Sequence, residues 1–169
     1  GSWPEGVTTF AHLLKRAGYA TAVAGKWQLA LQKDNPRHPA QLGFDESAVF
    51  GWHEGPRFHS PMIYRNGVVW EEKRKPDVYG PEVYTDFLID FMGQNRDRPF
   101  LAYYSAVLAH IPVVTTPHSQ DESATPREKF AGMVRYADHL VGLLVAELGR
   151  LGLLERTIVF ITADNGTDN

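Results

Sequence analysis

Tyr19-Ala20-Thr21-Ala22-Val23-Ala24-Gly25-Lys26-Trp27 is the stretch on which the fold turns. Its first six residues are short, nearly continuously apolar and partly β-branched, which reads as a strand buried on both faces. A helical pattern precedes it, from about Thr9 to Ala17, with Phe10, Leu13, Leu14 and Ala17 at i, i+3, i+4, i+7. Thr8 or Thr9 suits the helix N-cap, and Gly18 suits the left-handed turn at its end.

The same strand signal recurs at Phe100 to Ser105 and at Thr157 to Thr162, which read as second and third buried strands. Between the first two, residues 31 to 60 are rich in Pro, Gly, His and charge and read mostly as loop. Ile63 to Trp70 reads as a hairpin, because Asn66-Gly67 supplies the two positive-φ residues of a type I′ turn. A helix is expected over about Pro81 to Met92, with Tyr84, Phe87, Leu88 and Phe91 as its buried stripe. Another opens at Thr125-Pro126-Arg127-Glu128, a capping box with proline at the first helical position. Its stripe runs from Phe130 through Met133, Ala137, Leu140 and Leu144 to Leu148, and Gly149 and Gly152 mark its end. Buried strands alternating with amphipathic helices predict an α/β fold with a mostly parallel sheet sandwiched by helices.

Composition narrows the function. The 169 residues suit one domain or a large part of one, and 43% hydrophobic content is enough for a sizeable core. A net charge of -3 gives no reason to expect nucleic acid or an anionic membrane as partner. With no cysteine, disulfides, thiolate metal sites and a cysteine nucleophile are excluded from this chain. No apolar run reaches the length of a membrane span, and no signal-peptide pattern is present. Compartment and oligomeric state are not encoded in these features.

In an open α/β sheet, ligands bind beyond the carboxyl ends of the strands. The residues just past the three expected strands are Gly25-Lys26-Trp27-Gln28, Ala106 to Pro112 with His110, and Asp164-Asn165-Gly166. Each alone has an ordinary reading: a solvated lysine, a hydrogen-bonded structural histidine, a turn. Together they bring a cation, an imidazole and hard oxygen ligands to one edge. That set suits an anionic oxyester and a divalent metal.

Several motifs carry a family resemblance. Gly18-Tyr19-Ala20-Thr21 leading into Gly25-Lys26-Trp27 resembles the sulfatase segment Gly-Tyr-x-Thr…Gly-Lys-Trp-His. Gly43-Phe44-Asp45, Asn66-Gly67, Arg98-Pro99-Phe100-Leu101 and His110-Ile111-Pro112 follow in the family's order. Leu151-Gly152-Leu153 and the run from Thr157 to Gly166 resemble the family stretch ending in Asp-Asn-Gly. The similarity covers essentially the whole chain.

The resemblance implies an alkaline-phosphatase-like fold and sulfuric ester hydrolysis assisted by a divalent cation, usually calcium. It implies that Asp164 and Asn165 coordinate the metal, that Lys26 contacts the sulfate, and that His110 lies close to the leaving-group oxygen. Gln28 stands where the family has a histidine that contacts the nucleophile, and Gln cannot exchange a proton near neutral pH. Trp52 and His53, with Arg57 and His59, fall in the loop where family members line the substrate pocket, and Trp52 could stack on a ring.

The family's Cys/Ser-x-Pro-x-Arg motif, whose first residue matures to formylglycine, is absent from these residues. The expectation is a single partial catalytic domain over residues 1–169, with the nucleophile segment and the C-terminal part of the domain outside it. The substrate is expected to be a small-molecule or carbohydrate sulfate ester. Two readings stay open beside it: a phosphatase or phosphodiesterase of the same superfamily, and a catalytically inactive sulfatase-like binding module, which Gln28 favours.

Overall fold

The computed structural model describes residues 6–51, 55–70 and 78–163. The elements run α1 (Phe10–Arg16), β1 (Ala20–Trp27), α2 (His38–Gln41), β2 (Glu46–Gly51), β3 (Ile63–Arg65), β4 (Val68–Val69), α3 (Gly80–Gln94), β5 (Phe100–Ser105) and α4 (Pro126–Arg150). A short 3-10 turn, Leu154–Arg156, follows. The strands form one sheet in the order β4-β3-β2-β1-β5. β1 is parallel to both of its neighbours, β2 and β5, whereas β3 and β4 extend the sheet as an antiparallel hairpin. The sheet is therefore mixed, with a parallel centre.

Both faces of the sheet are covered. On one face Ala20, Ala22, Ala24, Ala48 and Phe50 meet Tyr84, Phe87, Leu88 and Phe91 of α3, with Met133, Tyr136 and Leu140 of α4 in the same core. On the other, Val23, Trp27 and Val49 pack with Ala11 of α1 and with Leu42 and Phe44 beside α2. The alanines are a consequence of proximity: they let helix α3 approach the sheet closely. Gly25 has the same cause in sharper form. Its φ is +101°, and a Cβ there would stand 2.0 Å from the Ser105 carbonyl oxygen of the neighbouring strand.

The helix caps and the hairpin follow the sequence reading. Thr9 caps α1 with a reciprocal box through His12, and Thr125 caps α4 with one through Glu128. Asn66 (φ 51°) and Gly67 (φ 83°) make the turn between β3 and β4.

Two expectations are corrected and one is extended. The α1 stripe is only half covered: Phe10 and Leu13 are about half exposed, and the fully buried residue is Ala11. Residues 31–60, mostly turn and loop as expected, are not loop alone: they also contain the short helix α2 and the strand β2. Thr157 to Thr162 is not a buried strand among the described residues. It joins no ladder, and Ile158, Phe160 and Ile161 are each about 80% exposed or more. A strand is buried by its pairing partner, and none of the described strands lies beside this segment.

Candidate active site

Strand β1 supplies the first site residues. In register Lys26 lies opposite Phe50 and Trp27 opposite Gly51, while Gly25 is the last residue paired with β5, at Ser105. Lys26 therefore stands at the carboxyl end of β1, one residue past its last pairing with β5. It is half-buried, as is Gln28 just beyond the strand.

Trp27 fixes this end of the strand. Its ring is buried against Phe44, and its indole N–H donates to Nδ1 of His38 at 3.2 Å. Burial holds the His38 imidazole below its ordinary range, which keeps that nitrogen neutral and able to accept. The start of β1 is fixed by Thr21 and Asp45. The Thr21 hydroxyl donates to the Gly43 carbonyl at 2.8 Å and lies 3.0 Å from Asp45 Oδ2, and the Thr21 amide donates to the same carboxylate. Lys15 pairs with Asp45 at 2.5 Å. Burial pushes the Asp45 carboxyl up, but the bonds from Lys15 and Thr21 outweigh it and hold the group below the usual carboxylate range. The residues Thr21, Gly43 and Asp45 of the family-like motifs are thus structural: they set where β1 begins, and Trp27 sets where it ends.

The second group comes from the loop after β5. Val107 is buried and anchors it, and the His110 amide donates to the Val107 carbonyl. The His110 ring is exposed, and its Nδ1 lies 2.7 Å from the Ile111 carbonyl oxygen. A carbonyl only accepts, so Nδ1 carries the hydrogen and Nε2 is the nitrogen that can serve a reacting group.

The same carbonyl accepts a second bond, at 3.0 Å, from Nη1 of Arg57. The Arg57 guanidinium lies over the Phe50 ring, 5.6 Å from its centroid. Arg57 also lies within electrostatic reach of the buried Tyr84 phenol: burial pushes that phenol far up and the arginine pulls it down. Beside Arg57, His59 Nε2 lies 3.3 Å from the Thr115 carbonyl oxygen. Phe50, Arg57, Phe58, His59, Pro112 and Val114 line a concavity of about 440 Å³ between the loops after β2 and β5. A second concavity, about 510 Å³, lies along α1 near Thr8, His12 and Arg16 and contains none of the candidate residues.

The structure thus brings Lys26, Gln28 and His110 to one edge of the sheet. Trp52, His53, Asp164 and Asn165 lie outside the described residues. Among the described residues no group of three or more His, Cys, Asp or Glu could hold a metal ion. Sequence reasoning placed Arg57 in the pocket loop without a role, and nothing in the chain before folding links it to Ile111. No described helix is long and apolar enough to cross a membrane.

A mixed sheet with a parallel centre, covered on both faces, with Lys26 at the end of β1 and His110 in the loop after the adjacent strand β5, defines an α/β architecture with its candidate residues at one edge. The sulfatase family model matches residues 2–168, and the chain belongs to the sulfatase family. It is 29% identical to N-acetylgalactosamine-6-sulfatase of Mus musculus, covering 98% of this chain and 34% of that protein. It is 30% identical to arylsulfatase A of Homo sapiens, covering 99% of this chain and 37% of that protein. The crystal structure of Ps i-CgsB in complex with k-i-k-neocarrahexaose shares the fold, with a TM-score of 0.74 and 22% identity over 90% of this chain and 39% of that one. The chain spans little more than a third of the length of these relatives.

Proposed function

We propose that the complete protein hydrolyses sulfate esters and that this chain supplies the sulfate-contacting and leaving-group side of its active site. The observation that carries the reading is the placement of Lys26 at the carboxyl end of β1 and of His110 in the loop that follows the adjacent parallel strand β5. Lys26 is the charge for the sulfate oxygens. An ammonium in a half-buried setting attracts an anion more strongly than one in open water. His110 is the group for the leaving oxygen. Expulsion of an alkoxide or phenoxide develops negative charge, and histidine is the side chain able to donate a proton there near neutral pH.

Gln28, at the same strand end, can hydrogen-bond but does not exchange a proton near neutral pH. The nucleophile, which in the family is formylglycine, lies outside this chain. In the same reading Asp164 and Asn165 contribute to a divalent cation site, calcium by family analogy, completed by ligands elsewhere, and Trp52 and His53 face the substrate. A bound cation would neutralise sulfate charge. No step assigned to Lys26 or His110 depends on it. The name of N-acetylgalactosamine-6-sulfatase and the neocarrahexaose bound in the structural relative support a carbohydrate sulfate as substrate class.

The test is sulfate release by the complete protein with Lys26→Ala and His110→Ala variants. Lys26→Ala should lower turnover on every sulfate ester. His110→Ala should cost about 10²–10⁴-fold on poor alkyl leaving groups and little on an activated aryl sulfate. Equal loss on both substrates in a well-folded His110→Ala protein would overturn the general-acid role. Gln28 supports a second reading, an inactive binding module. Tight sulfate-ester binding with no turnover by the wild-type protein would establish that reading instead.

A further inference from the structure

The carbonyl of Ile111 is the junction of two loops that belong to different strands. It takes a hydrogen bond from Nδ1 of His110 at 2.7 Å and one from Nη1 of Arg57 at 3.0 Å. A carbonyl oxygen has two lone pairs, so both donors are satisfied at once. The Ile111 side chain is 71% exposed, so packing of that side chain does not hold this part of the loop. His110 itself is exposed, and among the bonds that fix its ring the one to Ile111 is local, between neighbours in sequence. Left to these alone, the imidazole would move with its loop.

Arg57 removes that freedom. Its guanidinium rests over Phe50, which is 3% exposed, is the second-last residue of β2 and lies in register with Lys26. Contacts therefore run from Phe50 on β2, the register partner of Lys26 on β1, through Arg57 to the Ile111 carbonyl and the His110 ring.

We propose that Arg57 is a positioning residue for His110: it clamps the Ile111 carbonyl so that the ring keeps its Nδ1–H on the backbone and presents Nε2 at the edge where Lys26 emerges. This deepens the proposed sulfatase reading and rests on it. Two features favour a clamp over a direct substrate contact. Arg57 already donates to a backbone oxygen, and its planar group is held against an aromatic face, an arrangement that orders a guanidinium at small entropic cost. Misplacement of a reacting group by about 1 Å costs on the order of 10²-fold in rate, so a clamp remote from the reacting atoms can still be felt in turnover.

The experiment compares wild type, Arg57→Ala, Arg57→Lys, His110→Ala and the Arg57→Ala/His110→Ala double variant of the complete protein, on an alkyl sulfate and on 4-nitrophenyl sulfate. Arg57→Ala should lower kcat on the alkyl sulfate by about tenfold to a hundredfold. KM should stay within about twofold, and the aryl sulfate should be little affected. Arg57→Lys should recover part of the loss, because an ammonium can donate to the same carbonyl. In the His110→Ala background, Arg57→Ala should cost nothing further.

A raised KM with unchanged kcat would overturn the proposal and make Arg57 a substrate contact. So would additive losses in the double variant, or equal loss on both substrates. If His110→Ala shows no leaving-group dependence, the general-acid reading falls and the clamp falls with it. If His110→Ala shows that dependence and Arg57→Ala does not, only the clamp is wrong.

Discussion

The indole N–H of Trp27 and the Nδ1 of His38 are joined by a buried hydrogen bond of 3.2 Å, so the residue after Lys26 is tied to helix α2 on the far side of the strand. Lys26 and Trp27 alternate across the sheet, and the anchoring of one face orients the other. The tryptophan of Gly-Lys-Trp is thus a fixture for the lysine.

That bond makes the strand end sensitive to acid. Burial lowers the His38 pKa, so folding favours the neutral imidazole. Its contribution is complete above the ordinary histidine value of about 6.5 and is lost as pH falls through the lowered folded value. Protonated Nδ1 also cannot accept from Trp27. Thermal melts of the complete protein from pH 8 to pH 5 should show a drop in Tm that a His38→Ala variant, already destabilised, no longer shows. Parallel Tm curves for the two proteins would refute this.

Gly25→Ala should be severely destabilising. The new methyl would stand 2.0 Å from the Ser105 carbonyl oxygen at a φ of +101°. A strained φ costs about 1–3 kcal/mol and overpacking a further 1–3 kcal/mol. A loss of at least about 2 kcal/mol in denaturant unfolding is expected. A loss below about 1 kcal/mol would mean that β1 and β5 separate easily.

Thr21→Val tests the clamp at the other end of β1. It removes the hydroxyl bonds to the Gly43 carbonyl and the Asp45 carboxylate while keeping the shape. Leaving the buried Gly43 carbonyl without that donor costs about 1–3 kcal/mol, while the exposed Asp45 carboxylate keeps Lys15 and the Thr21 amide. Unfolding free energy should fall by that amount, with kcat and KM of the folded protein unchanged. A selective change in KM would give Thr21 a functional role instead.

Gln28 decides how the proposed site handles protons. Gln28→His would install a side chain that titrates between pH 5 and 8 beside Lys26. The pH dependence of kcat should gain a new limb in that interval, and Gln28→Ala should lower kcat without one. Identical pH profiles for all three proteins would place Gln28 outside the site.

Much of this architecture is local in origin and could be read directly. Thr125 with Glu128 capped α4, Asn66-Gly67 turned the hairpin, and the apolar blocks at Tyr19 and Phe100 became strands. Strand β2 escaped because Ser47-Ala48-Val49-Phe50 sits among prolines, histidines and charges that read as loop. Its partner β1 makes it a strand, and pairing is not a local property. The run from Thr157 shows the converse. Its composition is that of a core strand, yet Phe160 is 89% exposed because burial requires a neighbour.

For the site, the sequence alone determined which residues stand where chemistry is expected, because strand ends and motif order are written along the chain: Lys26, Gln28 and His110 were named from it. Only the tertiary structure decided how they are held. Trp27 meets His38 across 11 positions, Thr21 meets Asp45 across 24, and Arg57 meets Ile111 across 54. A hydrogen bond between residues so far apart leaves no periodicity or spacing in the chain. It exists only when the parallel sheet has brought the exits of β1, β2 and β5 to one edge.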